Sequence, residues 1–277
     1  MKSSDLYLLI ILLLGGLGFG IYQWRRWRIR RFRHKPLPPQ WLRIIEDNVA
    51  LYEYLPKDLR RVLHGHIHFF LYHKKFVACD GMDVTEEVRV TIAATACLLV
   101  LRRETPIFRG LKSILVYPDT YVVSEQVRDG SVVREEKSTR AGESWFRGPI
   151  VLSWADVLRG TLTVDDGFNV VLHEFAHKLD EETGVMNGLP LLQSREHYDA
   201  WSSVLSKEYE SFLGRVKVGK NKVIDEYGAV SPVEFFAVLS ESFFEKPKLM
   251  RERLPDLYVQ LQRVYDIDPA SWNPGCD

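Results

Sequence analysis

The sequence predicts a helix-rich α+β fold with a small sheet, preceded by one transmembrane helix. Three observations support this fold class: segments with apolar residues at helical spacing, short segments rich in β-branched and aromatic residues, and an uncharged apolar run near the amino terminus. Of 277 residues, 46% are hydrophobic and 27% are charged, which is ordinary for a globular protein. A mostly disordered chain and a small disulfide scaffold are therefore excluded.

The amino-terminal apolar run covers residues 6–24 and contains no charged residue. As a helix it would extend about 28 Å, close to the hydrocarbon thickness of a bilayer. Seven Arg and Lys residues follow it up to residue 35, and the positive-inside rule places such a cluster in the cytoplasm. We therefore expect residues 1–35 to form a membrane anchor with a basic flank and residues 36–277 to form a cytoplasm-facing domain. The predicted location is the bacterial inner membrane, in a single-pass arrangement.

Charge is distributed unevenly along a chain whose formal net charge is zero. Residues 36–277 carry 29 basic and 36 acidic residues, a formal charge of −7. This excess of acidic residues argues against direct nucleic-acid binding. The three cysteines form no CxxC pair, which is typical of a reducing compartment.

Apolar spacing and capping residues predict the helices in order after a proline-rich linker at residues 35–40. The first helix has a proline and an acidic residue in its first turn, the second begins at Thr85, and a later one begins at Ser231. A helix that ends near Asp180 is capped by Asp165 or Asp166 in this prediction. The predicted helical ranges are 56–70, 84–101, 165–180, 198–212, 231–244 and 255–265.

Two segments rich in β-branched and aromatic residues, 113–123 and 149–154, are predicted strands. The second strand could present a free edge to an extended peptide. Between them, the mixed charges of residues 128–140 favour a solvated hairpin or loop.

The chemistry is concentrated in an HExxH motif at His173, Glu174 and His177. Residues at positions i and i+4 share one face of a helix, so both imidazoles can reach one Zn²⁺ at about 2.0–2.1 Å. Glu174 lies beside them and can take a proton from water at the metal. The motif therefore predicts a zinc centre.

A catalytic zinc needs a third protein ligand. Asp180 lies on the same helical face but about 10.5 Å along the axis from His173, which favours a helix-terminal or supporting role. Glu234 and Glu241, both on the predicted helix that Ser231 opens, are better candidates. Spacing does not decide between them, because Glu234 also fits a capping box with Ser231.

Four motifs occur together in the chain: GPIVLSW at 148–154, HEFAHKLD at 173–180, ETGVMNGLP at 182–190 and YGAVSPVEFFAVLSESFF at 227–244. With them, the chain from about residue 36 onward resembles the Mlc titration factor A family of zinc peptidases, and it is similar to the catalytic domain of the lethal factor toxin. The resemblance implies a zincin-like metallopeptidase domain.

The resemblance also implies the roles of individual residues. His173, His177 and Glu234 would be the zinc ligands, and Glu174 and Tyr227 would be the catalytic residues. Glu241 would be a supporting or packing group.

The function expected from these patterns is hydrolysis of peptide bonds by a metal-activated water, with Zn²⁺ as cofactor, Glu174 as general base and a peptide or protein as substrate. Tyr227 would stabilise the oxyanion. The alternative is a zinc-containing regulator that sequesters a partner such as a transcription repressor, which the name of the resembling family implies. The presence of Glu174 favours the enzyme, because a protein that only binds has no need of it.

Overall fold

The computed structural model describes residues 7, 13–20, 23, 35–103, 107–119, 121–129, 132–140, 142–144, 148–219 and 223–272. The helices from residue 35 onward are α1 (Pro39–Asn48), α2 (Lys57–His73), α3 (Glu86–Leu98), α4 (Trp154–Leu162), α5 (Val170–Asp180), α6 (Arg195–Lys217), α7 (Pro232–Glu245), α8 (Pro247–Arg253) and α9 (Pro255–Tyr265). Short 3-10 turns cover Ala50–Tyr54, Glu181–Thr183, Glu226–Ala229 and Pro269–Ser271. The strands are β1 (Lys75–Ala78), β2 (Ser113–Tyr117), β3 (Tyr121–Asp129), β4 (Val132–Arg140), β5 (Gly142–Ser144) and β6 (Ile150–Ser153).

The main sheet has four strands in the order β1-β2-β6-β5. β1, β2 and β6 are parallel, and β5 pairs antiparallel with β6. All four residues of β6 are buried, as expected for a strand with neighbours on both sides. β3 and β4 form a separate antiparallel pair. This arrangement confirms the helix-rich α+β prediction with a small sheet.

The helix that carries the HExxH motif is central to the packing. Val171, Leu172, Phe175 and Leu179 of α5 are fully buried. The ring of Phe175 lies 4.9 Å from that of Phe108 and 5.7 Å from that of Phe70. The aromatic contacts hold α5 against α2 and the segment before β2, so the motif lies on a fixed element.

Most predicted helices occur where the pattern placed them, and two predicted caps are present. The side chain of Thr85 accepts a hydrogen bond from the amide of Val88, and that of Ser231 accepts one from the amide of Glu234. The predicted cap of α5 was wrong, because Asn169 caps the helix and not Asp165 or Asp166. Asp165 instead adopts a positive φ of 83° in the loop before it.

The strand predictions need two corrections. The segment 113–123 is not one strand, because β2 ends at Tyr117 and β3, in the other sheet, begins at Tyr121. The segment 149–154 offers no free edge, since β6 is paired with β2 on one side and with β5 on the other.

The predicted membrane anchor and single-pass inner-membrane location are corrected by the structure. Among the described residues, no helix is both long enough and apolar enough to cross a bilayer. Residues 7, 13–20 and 23 of the predicted span are helical, and the other residues of 6–24 lie outside the described part of the chain. The longest described helix, α6, has 23 residues but carries charged side chains along its length. Most of the basic flank at 25–35 lies outside the described residues.

Candidate metal centre

The start of α5 is fixed by Asn169. Its side-chain oxygen accepts from the amide of Leu172 at 3.1 Å, and its side-chain nitrogen donates to the carbonyl of Gly160 at 2.9 Å. A Cβ at Gly160 would lie 2.9 Å from the backbone of Asn169 and of Phe168, so this close approach of α4 to α5 requires glycine. The two helices therefore meet in a defined geometry one turn before His173.

The second element of the site is the start of α7. Ser231 caps it and Pro232 occupies its first turn, which places Glu234 three residues after the cap. Further along, Phe235 and Phe236 are fully buried against Phe212 and Trp201 of α6. Glu234 is thus carried on an anchored helix that packs across α5.

His173, His177 and Glu234 converge on one point. The Nε2 atoms of the two histidines lie 3.2 Å apart. Oε2 of Glu234 lies 3.0 Å from Nε2 of His173 and 3.4 Å from Nε2 of His177. They are the one group of three or more His, Cys, Asp and Glu side chains that could hold a metal ion among the described residues.

These distances fit a tetrahedral metal. Ligand atoms placed about 2.05 Å from a zinc ion at tetrahedral angles lie about 3.3 Å from each other. The three measured separations lie on both sides of that value. Two imidazole nitrogens and one carboxylate oxygen are also a donor set that zinc prefers. The spacing and chemistry of these residues therefore fit a metal ion.

The electrostatics favour a cation in the same place. Burial by itself would lower the pKa of His173, but the carboxylates of Glu241, Glu234 and Glu174 hold that pKa well above its usual value. Burial would raise the pKa of Glu234, whereas hydrogen bonds with the two histidines hold it well below its usual range. For His177, burial dominates and lowers the pKa. A field that stabilises a protonated imidazole also stabilises a metal cation at the point where these groups meet.

Glu241 orients His173. The Nδ1 of His173 donates to Oε1 of Glu241 at 2.8 Å, which leaves Nε2 to face Glu234 and His177. Oε2 of Glu241 accepts from the amide of Asn169 at 2.5 Å. Glu234 therefore faces the shared point of the cluster, whereas Glu241 lies on the other ring nitrogen of His173.

A second buried carboxyl group, Glu245, lies one turn further along α7. Its Oε1 accepts from the side-chain nitrogen of Asn169 at 3.1 Å. Burial raises the pKa of Glu245 to about 9, with Asn169 opposing the shift and the charge of Glu241 adding to it. Glu245 is therefore a neutral carboxylic acid at pH 7. Sequence reasoning missed both Asn169 and Glu245; the i, i+4 spacing of Glu241 and Glu245 on a largely apolar helix was the available signal.

The two predicted catalytic residues, Glu174 and Tyr227, lie on α5 and on the 3-10 turn before α7. Glu174 is 4% exposed, and its charge acts on His173. Tyr227 belongs to the 3-10 turn before α7, is 54% exposed, and has its ring centroid 5.9 Å from that of His173. A buried acid, Glu174, and an exposed tyrosine, Tyr227, therefore both lie close to His173.

Asp180 does not reach the cluster. Its carboxylate accepts from the amides of Gly188 and Leu189 at 2.8 and 2.9 Å, so it fixes the loop that follows α5. Gly188 has a φ of 76°, and a Cβ there would lie 2.5 Å from the carbonyl oxygen of Pro232. Glycine is therefore required where this loop passes the start of α7, and the helix-terminal role expected of Asp180 matches its position.

Comparison with known proteins shows which family this chain matches. A family model described as "Glucose-regulated metallo-peptidase M90" matches residues 22–266. An uncharacterized protein of Synechocystis sp. is 40% identical over 266 residues, which cover 95% of this chain and 97% of the relative. Mlc titration factor A of Klebsiella pneumoniae is 36% identical over 204 residues, covering 72% of this chain and 76% of that protein. Mlc titration factor A of Escherichia coli is 32% identical over 247 residues, covering 88% and 91%.

These matches confirm the resemblance that the sequence motifs carried. A family described as a metallo-peptidase implies a metal, and the His-His-Glu cluster offers a place for one. Since the family model covers most of the sequence, the chain belongs to the glucose-regulated metallo-peptidase M90 family.

Proposed function

We propose that this protein is a zinc-dependent peptidase that hydrolyses peptide bonds, with His173, His177 and Glu234 as the metal ligands. The observation that supports this most directly is the set of three ligand-atom separations of 3.0, 3.2 and 3.4 Å. Chance clustering on one helix does not account for it, because the third ligand atom comes from a different helix. The side chains of His173 and Glu234 remain 13% and 20% exposed, so a substrate can approach from that side.

The metal ion and Glu174 would carry out different parts of the hydrolysis. A bound zinc ion supplies Lewis acidity and lowers the pKa of a coordinated water. Glu174 accepts the proton of the attacking water as its oxygen adds to the carbonyl carbon of the substrate. Glu174 then gives that proton to the amide nitrogen as the C–N bond breaks, which releases a carboxylate and an amine.

Tyr227 acts on the opposite side of the reacting carbonyl in this proposal. Its phenol is exposed and its ring lies beside His173, so the hydroxyl can donate to the oxyanion that forms during attack. Glu241 contributes indirectly, because its hydrogen bond to His173 fixes the tautomer that presents Nε2 to the metal.

The decisive experiment uses the full chain loaded with zinc and a mixed peptide library, with Glu174→Gln as the test variant. We expect the variant to keep one zinc per chain and to lose hydrolysis by about 10²–10⁴-fold, because it lacks the base. Glu196→Gln, an exposed carboxyl in the first turn of α6, is the matched control and keeps full activity. Equal hydrolysis by wild type and Glu174→Gln would remove Glu174 from the mechanism.

A regulatory function is the second candidate, because relatives of this chain are named Mlc titration factor A. In this function the protein would bind and sequester a transcription repressor of the Mlc type. Co-purification with Mlc distinguishes the two. Binding by wild type and by Glu174→Gln, together with no cleavage of any library peptide by zinc-loaded wild type, would favour the regulator.

A further inference from the structure

A cavity of about 870 Å³ lies beyond the carboxyl end of α5, away from the ligand cluster. Its walls come from the end of α5 with the 3-10 turn after it, the segment before β2, and the end of α9. The volume falls in the range typical of small-molecule sites. None of the three proposed metal ligands lines it.

The cavity is rich in cationic side chains. Three acidic side chains also line it, namely Glu181, Glu182 and Asp266. The cationic residues in its lining are Arg102, Arg103, Arg109, Lys112, Lys178 and Arg263.

Two of the three acidic residues are already neutralised within the cavity. Lys178 pairs with Glu181 at 2.7 Å, and Arg103 pairs with Glu182. A third cation, Arg102, faces Asp58 at 3.6 Å outside the lining.

Three cations remain available. Among the described residues, the side chains of Arg109, Lys112 and Arg263 have no carboxylate partner within ion-pair distance. Among the described residues of the lining, Asp266 is the one acidic side chain left to offset them. The described lining therefore carries an excess of positive charge, in a chain whose residues 36–277 have a formal charge of −7.

We propose that this cavity binds a phosphorylated organic metabolite. Arginine guanidinium groups match phosphate oxygens in a bidentate geometry, and a lysine ammonium adds a compact positive charge. Leu111, Leu192 and Val264 contribute apolar surface to the same walls, which suits the organic part of such a ligand. The charge excess favours two phosphate groups over one.

Position separates this site from the proposed zinc centre. Lys178 follows His177 directly in α5, but consecutive residues point about 100° apart around a helix. The cavity and the ligand cluster thus share a helix and have no residue in common.

The test is isothermal titration calorimetry of the full chain with fructose 1,6-bisphosphate at physiological ionic strength, which suppresses weak surface pairing. We expect saturable binding at one site, weaker binding of inorganic phosphate, and none of fructose. The double variant Arg109→Gln with Lys112→Gln, at two exposed positions, should weaken binding by at least about tenfold.

The matched control is Lys248→Gln with Arg251→Gln, which removes the same two charge types from exposed positions outside the cavity. The control should bind like wild type. No saturable binding of the bisphosphate at millimolar concentration, or equal loss in both double variants, would overturn the proposal. Binding is measured directly, so the result is independent of whether the protein hydrolyses peptides.

Discussion

The group formed by His173, His177 and Glu234 has buried neighbours on one part of its surroundings, called the wall below, and an exposed neighbour, called the rim. The wall and the rim are built differently. On the wall, His173, Glu241, Asn169 and Glu245 form a chain of hydrogen bonds between α5 and α7. On the rim, Tyr227 lies on a short 3-10 turn and is 54% exposed. From this difference we expect the wall to set the geometry of a bound metal and the rim to contact a substrate. Changes in the wall that reach His173 directly, as at Glu241, should alter metal binding, and changes in the rim should alter turnover alone.

The largest effect should follow His177→Ala, which removes a ligand atom from the cluster. We expect zinc to be lost from the purified protein and hydrolysis to fall to background, because two ligands cannot replace three. Metal analysis and circular dichroism on the same sample check this. His197→Ala removes a buried histidine of α6 outside the cluster and should keep zinc. A His177→Ala protein that retains one zinc per chain would show that the metal binds elsewhere.

Tyr227→Phe tests the rim. Removing only the hydroxyl should lower kcat by about 100-fold and leave zinc content and KM nearly unchanged, since the hydroxyl acts on charge that develops during the reaction. The control is Tyr72→Phe, at an exposed tyrosine near the end of α2. Loss of zinc from Tyr227→Phe would break the distinction between wall and rim.

Glu241→Gln tests the wall without removing a ligand. The amide keeps a hydrogen-bonding shape but loses the charge that polarises His173, so zinc affinity should fall about 10- to 100-fold. Activity should return at saturating zinc, which a ligand loss would not permit. Competition with a chelating dye measures the affinity. Glu245→Gln is the matched control on the same helix, and an equal loss of affinity in both variants would contradict the orienting role of Glu241.

Sequence reasoning predicted the group of His173, His177 and Glu234 because its signals are local. The i, i+4 histidines of α5 and the Ser231 cap of α7 are both written in short motifs, and the structure places their side chains together. Spacing could not decide whether Glu234 or Glu241 is the better third ligand. That choice depends on how α5 crosses α7, and His173 is 61 residues from Glu234 and 68 from Glu241 in the sequence. The resemblance to a family supplied that choice.

The errors arose where tertiary contacts override local pattern. Asn169 caps α5 because its amide also reaches Gly160 and Glu245, contacts that no local rule contains. The apolar strand at 149–154 gave no sign that both of its edges would be paired. Apolar composition at residues 6–24 likewise predicted a span that no described helix provides. Long-range contacts decide the first two of these outcomes, and periodicity reports only on neighbours in sequence.

The smallest effect on metal binding, and a distinct effect on stability, should come from Glu245→Gln. The pKa of Glu245 is about 9 in the folded protein against an ordinary value of 4.5. Between these values the folded state holds a proton that the unfolded state has released, so this group makes folding less favourable as pH rises from about 5 to 9. Glutamine cannot ionise, and it mimics the neutral acid that the folded protein contains. The variant should therefore gain stability relative to wild type across this window, by more than about 1 kcal/mol at its upper end. Urea unfolding of both chelator-treated proteins at several pH values measures the difference in their free energies of unfolding. If that difference does not change with pH, Glu245 is ionised in the buried wall.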